Sequence, residues 1–426
     1  MTRFARWPFL VLLLLGALLL REGAREGGPI LSFESAWFDF MASHRTQSRV
    51  TRGPASVTVV EINDAVLAGR NKWPLPAMDY ALFLQALEEF RPAVVGIEPV
   101  LSWPRAQGEA ERMLANRALQ FPKLVFGVRM SGLRINEQDD AAAALPDELT
   151  DVKGDPRRLQ NYDDVVARPT KDLQALGLLG PISDTGLNPP RIPLVVRYRG
   201  KIIPTFTLQA ALLWLKVTPG EIKVRLGSRI QVADRLRIPI DEAGCLLVDT
   251  FAPARVGRLG LDDLLLLAEQ GTKSTQNERL NLEAPASGGI TLLGRTDGSV
   301  VASGGSAHNE ARAPIDWVAA ALSTIQRADF IRRMPAWGEW LLVLGLVMVG
   351  AWLQTRLRLG AMLLAAAGVV LYAVIAWILY DRWRWWLPLA MPCGILLAAA
   401  LLRLVIPDED DSLELVPAES AKTPVA

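Results

Sequence analysis

The chain has 426 residues, of which half are hydrophobic, and a mean hydropathy of +0.21. Its 46 basic and 45 acidic residues leave a net charge of +1, which gives no reason to expect a nucleic-acid partner. The two cysteines, Cys245 and Cys393, lie far apart and imply no disulfide framework.

The chain begins with Arg3 and Arg6, followed by an apolar run up to Leu20. A cleaved signal peptide and a signal anchor both start in this way. Signal peptidase requires small residues after such a run, whereas here Arg21 and Glu22 follow. We therefore predict an uncleaved transmembrane anchor over residues 1–21.

Residues 31–335 predict an α/β domain built on a mixed sheet with βαβ units. A strand rich in β-branched residues at 56–62 is followed by a helix after Pro76 and by a second apolar strand at 93–98. Such a unit makes the two strands parallel, and we expect them to be adjacent. Residues 131–170 show no clear period and predict an irregular insertion.

Three carboxylates, Glu61, Asp64 and Glu98, come at or just after the carboxyl ends of these two strands. Ligands of open α/β sheets bind at that edge, so the carboxylates could hold a cation or an amine-bearing ligand. The alternative is structural: they cap helices or pair with basic neighbours, namely Arg70, Lys72 and Arg105.

Two weaker candidates complete the predicted ligand site. Trp73 could present its ring to a ligand or simply pack at the helix entry. Gly294 and Asp297 belong to a turn after a strand, where backbone amides could receive an anion. His44 and His308 have no metal-ligand spacing, and we expect no catalytic residue, no metal and no cofactor.

Three more apolar runs, at residues 336–353, 359–380 and 385–402, predict transmembrane helices with tryptophans at their ends. The basic residues Arg3, Arg6, Arg356 and Arg358 place the N-terminus and the first C-terminal loop in the cytoplasm. The chain is thus predicted to be a multi-pass protein of the cell's inner membrane with its large domain outside. Residues 403–426 predict a short acidic, disordered cytoplasmic tail.

Several short motifs follow one another in the order found in a known family. They are FDFMASHR, VTVVEIND, NKWPLPAMDY, VVGIEP, RIPLVVRYRG, TLQAALL, RIPIDEAG and ITLLGRTDG. In this order, and followed by apolar runs, they resemble the CHASE type 2 domain, an extracytoplasmic sensor of bacterial cyclases and histidine kinases.

The chain departs from that family in three places. In the turn after the first strand, Asn63 and Asp64 stand where two acids are common. Asp316 and Val318 stand where family members often carry Glu and His, so a ligand role for that histidine is absent. After Arg403 only a short polar segment follows, and we expect a stand-alone form without an output domain.

The resemblance implies a membrane-anchored sensor that binds a small molecule or envelope component and passes a signal to a separate cytoplasmic or membrane protein. A homodimer is compatible with the sequence. The alternative is an envelope scaffold or assembly protein that transmits no signal. We expect no enzymatic activity.

Overall fold

The structure is a computed structural model, and it describes residues 15–16, 29–48, 57–70, 73–105, 107–134, 145–182, 190–249, 252, 256–270, 288–296, 313–334, 336–353 and 358–405. The chain divides into two compact units. The α/β unit is Ala42–Arg332, and the helical unit combines Met1–Met41 with Arg333–Ala426.

The described helices are α1 (Pro29–Ser48), α2 (Asp64–Arg70), α3 (Ala77–Glu88), α4 (Glu109–Ala118), α5 (Lys171–Gln174), α6 (Phe206–Leu215), α7 (Leu261–Gln270), α8 (Pro314–Arg327), α9 (Ala336–Leu353), α10 (Arg358–Trp383) and α11 (Ala390–Val405). The first ten described strands are β1 (Val57–Ile62), β2 (Val94–Ile97), β3 (Leu124–Ser131), β4 (Asp151–Lys153), β5 (Asn161–Tyr162), β6 (Asp164–Ala167), β7 (Leu178–Ile182), β8 (Arg191–Pro193), β9 (Val195–Tyr198) and β10 (Lys201–Pro204). The remaining ones are β11 (Ile222–Arg225), β12 (Arg229–Val232), β13 (Leu236–Pro239), β14 (Cys245–Leu247), β15 (Gly257–Gly260), β16 (Ile290–Arg295), β17 (Arg332–Arg333) and β18 (Trp385–Trp386).

A seven-stranded sheet forms the centre of the α/β unit, in the order β15-β1-β16-β2-β3-β6, with β7 also paired to β3. All pairs are parallel except β3 with β6, so the predicted α/β class with a mixed sheet is confirmed. The expectation that β1 and β2 are adjacent is wrong, because β16 lies between them. A βαβ period fixes the strand direction but leaves room for a strand from much later in the chain.

Alternating side chains of the sheet belong to two hydrophobic cores, one on each face. On one face, Val57 and Val59 of β1 join Phe206 of α6 and Ile315 of α8. On the other face, Val60 and Ile62 join the buried residues of α3, α4 and α7. Because β1, β2 and β16 are buried on both faces, they are mostly apolar, as expected of parallel strands covered by helices.

The region predicted as an irregular insertion contains three strands in its described part, residues 131–134 and 145–170, which is a correction. β4 pairs with β11, β5 pairs with β9, and β6 pairs with β3. These strands have only two to four residues, too few to show a hydrophobic period, and their partners lie far away in the sequence.

Three smaller sheets extend the unit, with orders β13-β12-β11-β4, β10-β9-β5 and β14-β8. In the four-stranded sheet one face is apolar and joins the core, through Ile222, Val224, Ile230, Val232 and Ile238. The other face is polar and open to solvent.

In the helical unit, α9, α10 and α11 share an apolar core. Glu34 of α1 accepts hydrogen bonds from the backbone N–H groups of Leu389 and Ala390, at 3.1 and 2.6 Å, where α11 begins. Phe38 packs edge-on against Tyr380 and Trp386. These contacts join the first part of α1 to the helical unit, which includes residues up to Met41.

Among the described residues, one helix, Leu359–Trp383, is long and apolar enough to cross a membrane. The helices at Trp337–Leu353 and Ala390–Arg403 are apolar but shorter, so the predicted set of several spans stays a prediction. Residues 385–386 form β18 and not the start of a helix. Apart from Leu15 and Gly16, the predicted anchor over residues 1–21 lies outside the described residues, as does most of the tail.

Candidate functional site

The carboxyl edge of the central sheet brings three of the candidate residues, Glu61, Gly294 and Glu98, into one row. Glu61 of β1 is in register with Gly294 of β16, and the backbone N–H of Glu98 donates to the carbonyl of Leu293 at 2.9 Å. With strands about 4.8 Å apart, Glu61 and Glu98 are separated by two strand spacings, roughly 10 Å between Cα atoms. The carboxylates therefore flank Gly294 instead of sitting side by side.

On one side of Gly294, Arg258 of β15 links two carboxylates. Its Nη1 donates to Oε1 of Glu61 at 2.6 Å, and its Nη2 donates to Oδ1 of Asp316 at 2.7 Å. Asp316 is in the first turn of α8, and its side chain is only 6% exposed. We call this group the Arg258 bridge. It fastens the last helix of the unit to the edge of the sheet.

Glu61 is thus paired, but with a residue that sequence reasoning did not single out. The predicted structural alternative named Arg70, Lys72 and Arg105 as partners. Arg70 instead makes ion pairs with Asp79 and Asp262, and Lys72 lies outside the described residues.

On the other side of Gly294, Glu98 lies among positive charges. Burial raises the pKa of Glu98 to about 7, although a hydrogen bond from the backbone N–H of Arg295 and the charges of Arg129 and Arg295 oppose that rise. The guanidinium carbon of Arg295 lies 5.0 Å from the ring centroid of Trp73, in cation–π contact. Glu98, Arg129, Arg295 and Trp73 are hereafter the Arg295 cluster.

The surroundings of the Arg295 cluster are both apolar and open. Tyr80 of α3 is fully buried, and burial, followed by the charge of Glu98, raises its pKa. Its ring packs edge-on against Trp103 at 6.2 Å. Trp73, in contrast, is 44% exposed. The Trp73 ring is partly exposed to solvent and contacts one guanidinium group, that of Arg295, which suits a ligand that has an anionic group and an apolar part.

The remaining candidates have different roles or positions. Asp64 is exposed in the first turn of α2, where a negative charge suits the helix dipole, and the preceding Asn63 accepts the N–H of Val66 at 3.0 Å. Gly294 serves packing: a Cβ there would lie 2.7 Å from Cβ of Ile315. Asp297 lies outside the described residues.

Four residues of the two clusters were missed by sequence reasoning as site residues: Arg129, Arg258, Arg295 and Asp316. Asp316 had been noted only as a departure from the family pattern. Arg258 and Asp316 lie far from Glu61 in the sequence, and only the strand order brings them together. Arg295 could have been found, because it ends the apolar strand β16 next to the glycine turn.

The described part of the chain holds no group of three or more His, Cys, Asp or Glu side chains suited to a metal ion. Glu61 and Asp316 share Arg258, while Glu98 lies on the far side of Gly294. The carboxylates of this edge therefore do not converge on a single cation.

An α/β sheet with ionisable and aromatic side chains gathered at its carboxyl edge is typical of a ligand-binding domain. In the comparison with family models, the CHASE2 domain model matches residues 10–352. The chain therefore belongs to the CHASE2 domain family, whose members are extracytoplasmic sensory domains of signalling proteins. Neither curated proteins nor solved structures gave a significant match.

Proposed function

We propose that this protein is a membrane-anchored sensor whose α/β unit binds a small anionic organic molecule at the Arg295 cluster. The observation that carries the proposal is the pairing pattern at the carboxyl edge. Glu61 shares Arg258 with Asp316, whereas Glu98 lies near the guanidinium groups of Arg129 and Arg295, and Arg295 also contacts the exposed ring of Trp73.

The guanidinium groups of Arg129 and Arg295 near Glu98 favour an anionic ligand. A cation or an amine would have to compete with two guanidinium groups for one carboxylate that is reluctant to ionise. An anion gains from both guanidinium groups, and Arg offers bidentate hydrogen bonds to carboxylate or phosphate. Trp73 adds an exposed ring for the apolar part of the ligand.

The Arg258 bridge provides a route from this edge to the membrane helices. It holds Asp316 on α8, and only residues 328–335 separate α8 from α9 in the chain. A ligand that binds two states of the edge with different affinity would shift the position of α8. We propose that the apolar helices pass this change to a separate cytoplasmic or membrane signalling protein, and that the protein itself catalyses no reaction.

Membrane attachment is supported by apolar side chains that point away from the helical core. Leu363, Val370 and Leu371 of α10 are 65%, 63% and 61% exposed, which in water would be unfavourable for so many large apolar groups. We propose four spans in an inner membrane, with residues 1–21 as the first and α9, α10 and α11 as the others. The α/β unit then lies outside the cytoplasm, as the family implies.

A thermal-shift screen of the full-length protein in nanodiscs tests ligand binding. We expect small carboxylates or phosphate esters with an apolar part to raise the melting temperature, and Arg295→Met to abolish the rise. The matched control is Arg112→Met, an exposed arginine on α4 that should keep the response. Shifts caused by amines alone would show that the proposed charge is wrong, and no shift by either class would favour the scaffold alternative.

Membrane topology has its own test. A single cysteine at Ser228, in the exposed turn between β11 and β12, should react with an impermeant maleimide in intact spheroplasts, and a cysteine at Arg356 should not. The opposite pattern, or extraction of the protein by alkali, would contradict the proposed arrangement.

A further inference from the structure

The four-stranded sheet β13-β12-β11-β4 has a solvent face that is strongly basic. Ladder partners in a sheet point to the same side, so the register defines this face, which we call the basic face. Its members are Asp151, Lys153, Lys223, Arg225, Arg229, Gln231, Arg237 and Pro239. The alternate residues of the same strands are apolar and join the core.

Five cationic side chains share the basic face with one carboxylate. That carboxylate, Asp151, is already paired with Arg225 at 2.8 Å. The hydrogen bond from Arg225, together with the charges of Arg225, Lys153 and Lys223, lowers the pKa of Asp151. Since the whole chain has a net charge of only +1, this concentration of positive charge is local and does not reflect a basic protein.

The placement of these cations works against stability of the sheet. Arg229 is directly opposite Arg225, and Arg225 is directly opposite Lys153, so three cations follow one another across three strands. Like charges in directly opposed positions destabilise a sheet. An arrangement that stability disfavours is best explained by a partner that carries negative charge.

The shape and composition of the basic face indicate which partner. The cations spread over all four strands of the sheet instead of following one strand. Large exposed apolar side chains are absent from the described residues of these strands, although interfaces between proteins depend on such anchors. A flat surface with negative charges of its own meets these conditions.

We propose that the basic face docks onto the anionic headgroups of the lipid bilayer to which the protein is attached. Clusters of Lys and Arg next to a membrane are attracted to anionic lipids. Because the chain's own apolar helices would attach the protein to the bilayer, each contact between the basic face and a headgroup can be weak. This inference rests on the membrane attachment proposed above, and not on the ligand or on the Arg295 cluster.

Full-length protein in nanodiscs provides the test. A donor dye on Ser228→Cys, at the edge of the basic face, is combined with Cys393→Ser, while Cys245 is buried. Energy transfer to an acceptor on the lipid headgroups is compared between phosphatidylcholine nanodiscs and nanodiscs with about one third phosphatidylglycerol. We expect a transfer efficiency roughly twice as high with the anionic lipid, and loss of the difference in about 1 M NaCl, where charges are screened within about 3 Å.

Charge reversal separates docking from general attraction. The variant K223E/R229E/R237E should lose the rise in transfer efficiency. The control R112E/R134E/K171E makes the same change of charge at exposed positions elsewhere on the α/β unit and should keep the rise. Equal efficiencies in the two lipids, or a rise that survives reversal of the basic face, would overturn the inference. The inference would also be overturned if soluble dextran sulfate protected the dye while the anionic lipid had no effect.

Co-elution with the nanodiscs distinguishes this inference from the proposed attachment. Failure to co-elute with neutral nanodiscs would contradict attachment through apolar helices. Co-elution with anionic nanodiscs alone, abolished by K223E/R229E/R237E, would still support docking. Absence from both kinds of nanodisc would overturn the docking as well.

Discussion

Replacement of Arg258 by methionine tests whether the Arg258 bridge holds α8 on the sheet. The change removes a cation from between Glu61 and Asp316 while keeping much of the side-chain volume. Exposed ion pairs contribute up to about 1 kcal/mol, whereas breaking a buried pair costs about 3–5 kcal/mol. Arg258 is 41% exposed and Asp316 is 6% exposed, so we expect an intermediate loss of about 2 kcal/mol.

The assay is thermal unfolding of the full-length protein, followed by the fluorescence of its 13 tryptophans. For a unit of this size, 1 kcal/mol lowers the melting temperature by about 2–4 °C, so Arg258→Met should lower it by about 5 °C. Asp316→Asn should destabilise the Arg258→Met variant less than it destabilises the native protein, with a coupling energy of about 1 kcal/mol. The bridge does not fasten α8 if Arg258→Met lowers the melting temperature no more than Arg112→Met does and if the effects of Arg258→Met and Asp316→Asn are additive.

Three further outcomes follow from single residues. Gly294→Ala should cost about 1–3 kcal/mol because its new Cβ would clash with Cγ1 and Cβ of Ile315. Ile315→Ala removes Cγ1 but keeps Cβ, so it should relieve part of that cost in the double variant, and strictly additive melting temperatures would contradict the clash. The pKa of Glu98 is raised to about 7 from 4.5, so protonated Glu98 contributes to the stability of the folded state. That contribution is complete below about pH 4.5 and is lost as pH rises through 7, by at most about 3 kcal/mol. Melting temperatures measured from pH 5 to 8 should fall in the native protein and stay flatter in Glu98→Gln, and parallel curves would refute this. Burial raises the pKa of the Cys245 thiol, so maleimide at about pH 7 should modify Cys245 only after unfolding, as measured by mass spectrometry; rapid modification of the native protein would show that the thiol is accessible.

Local patterns in the sequence were sufficient to predict the longer elements of the α/β unit. The type of element was predicted correctly for β1 from its β-branched run, and for α3 from the spacing of Tyr80, Phe83, Leu84 and Leu87. In both elements the buried residues follow the regular period of the element. The strands at residues 151–167 were missed because each is stabilised by a partner strand rather than by its own pattern. Their short length leaves no period to detect.

The candidate site was predicted in its location but not in its chemistry. The carboxyl ends of β1 and β2 drew attention to Glu61 and Glu98, which the structure places at the same edge. Sequence reasoning could not foresee that β16 separates them, since strand order depends on packing between distant segments. With β16 come Arg295 and Gly294, and with its neighbours come Arg258 and Asp316, which turn an apparently acidic edge into one with paired charges.

The strength of the Arg258 bridge also limits what a signal through α8 could achieve. A ligand shifts a two-state equilibrium only by its difference in affinity for the two states. If the states differ mainly in whether Arg258 holds Asp316, an energy of about 2 kcal/mol corresponds to a population change of roughly 30-fold. That is enough to turn a minor state of a few per cent into an equal mixture. A larger response would require the ligand to change the packing of Ile315 against Gly294 as well, because this contact fixes the same end of α8.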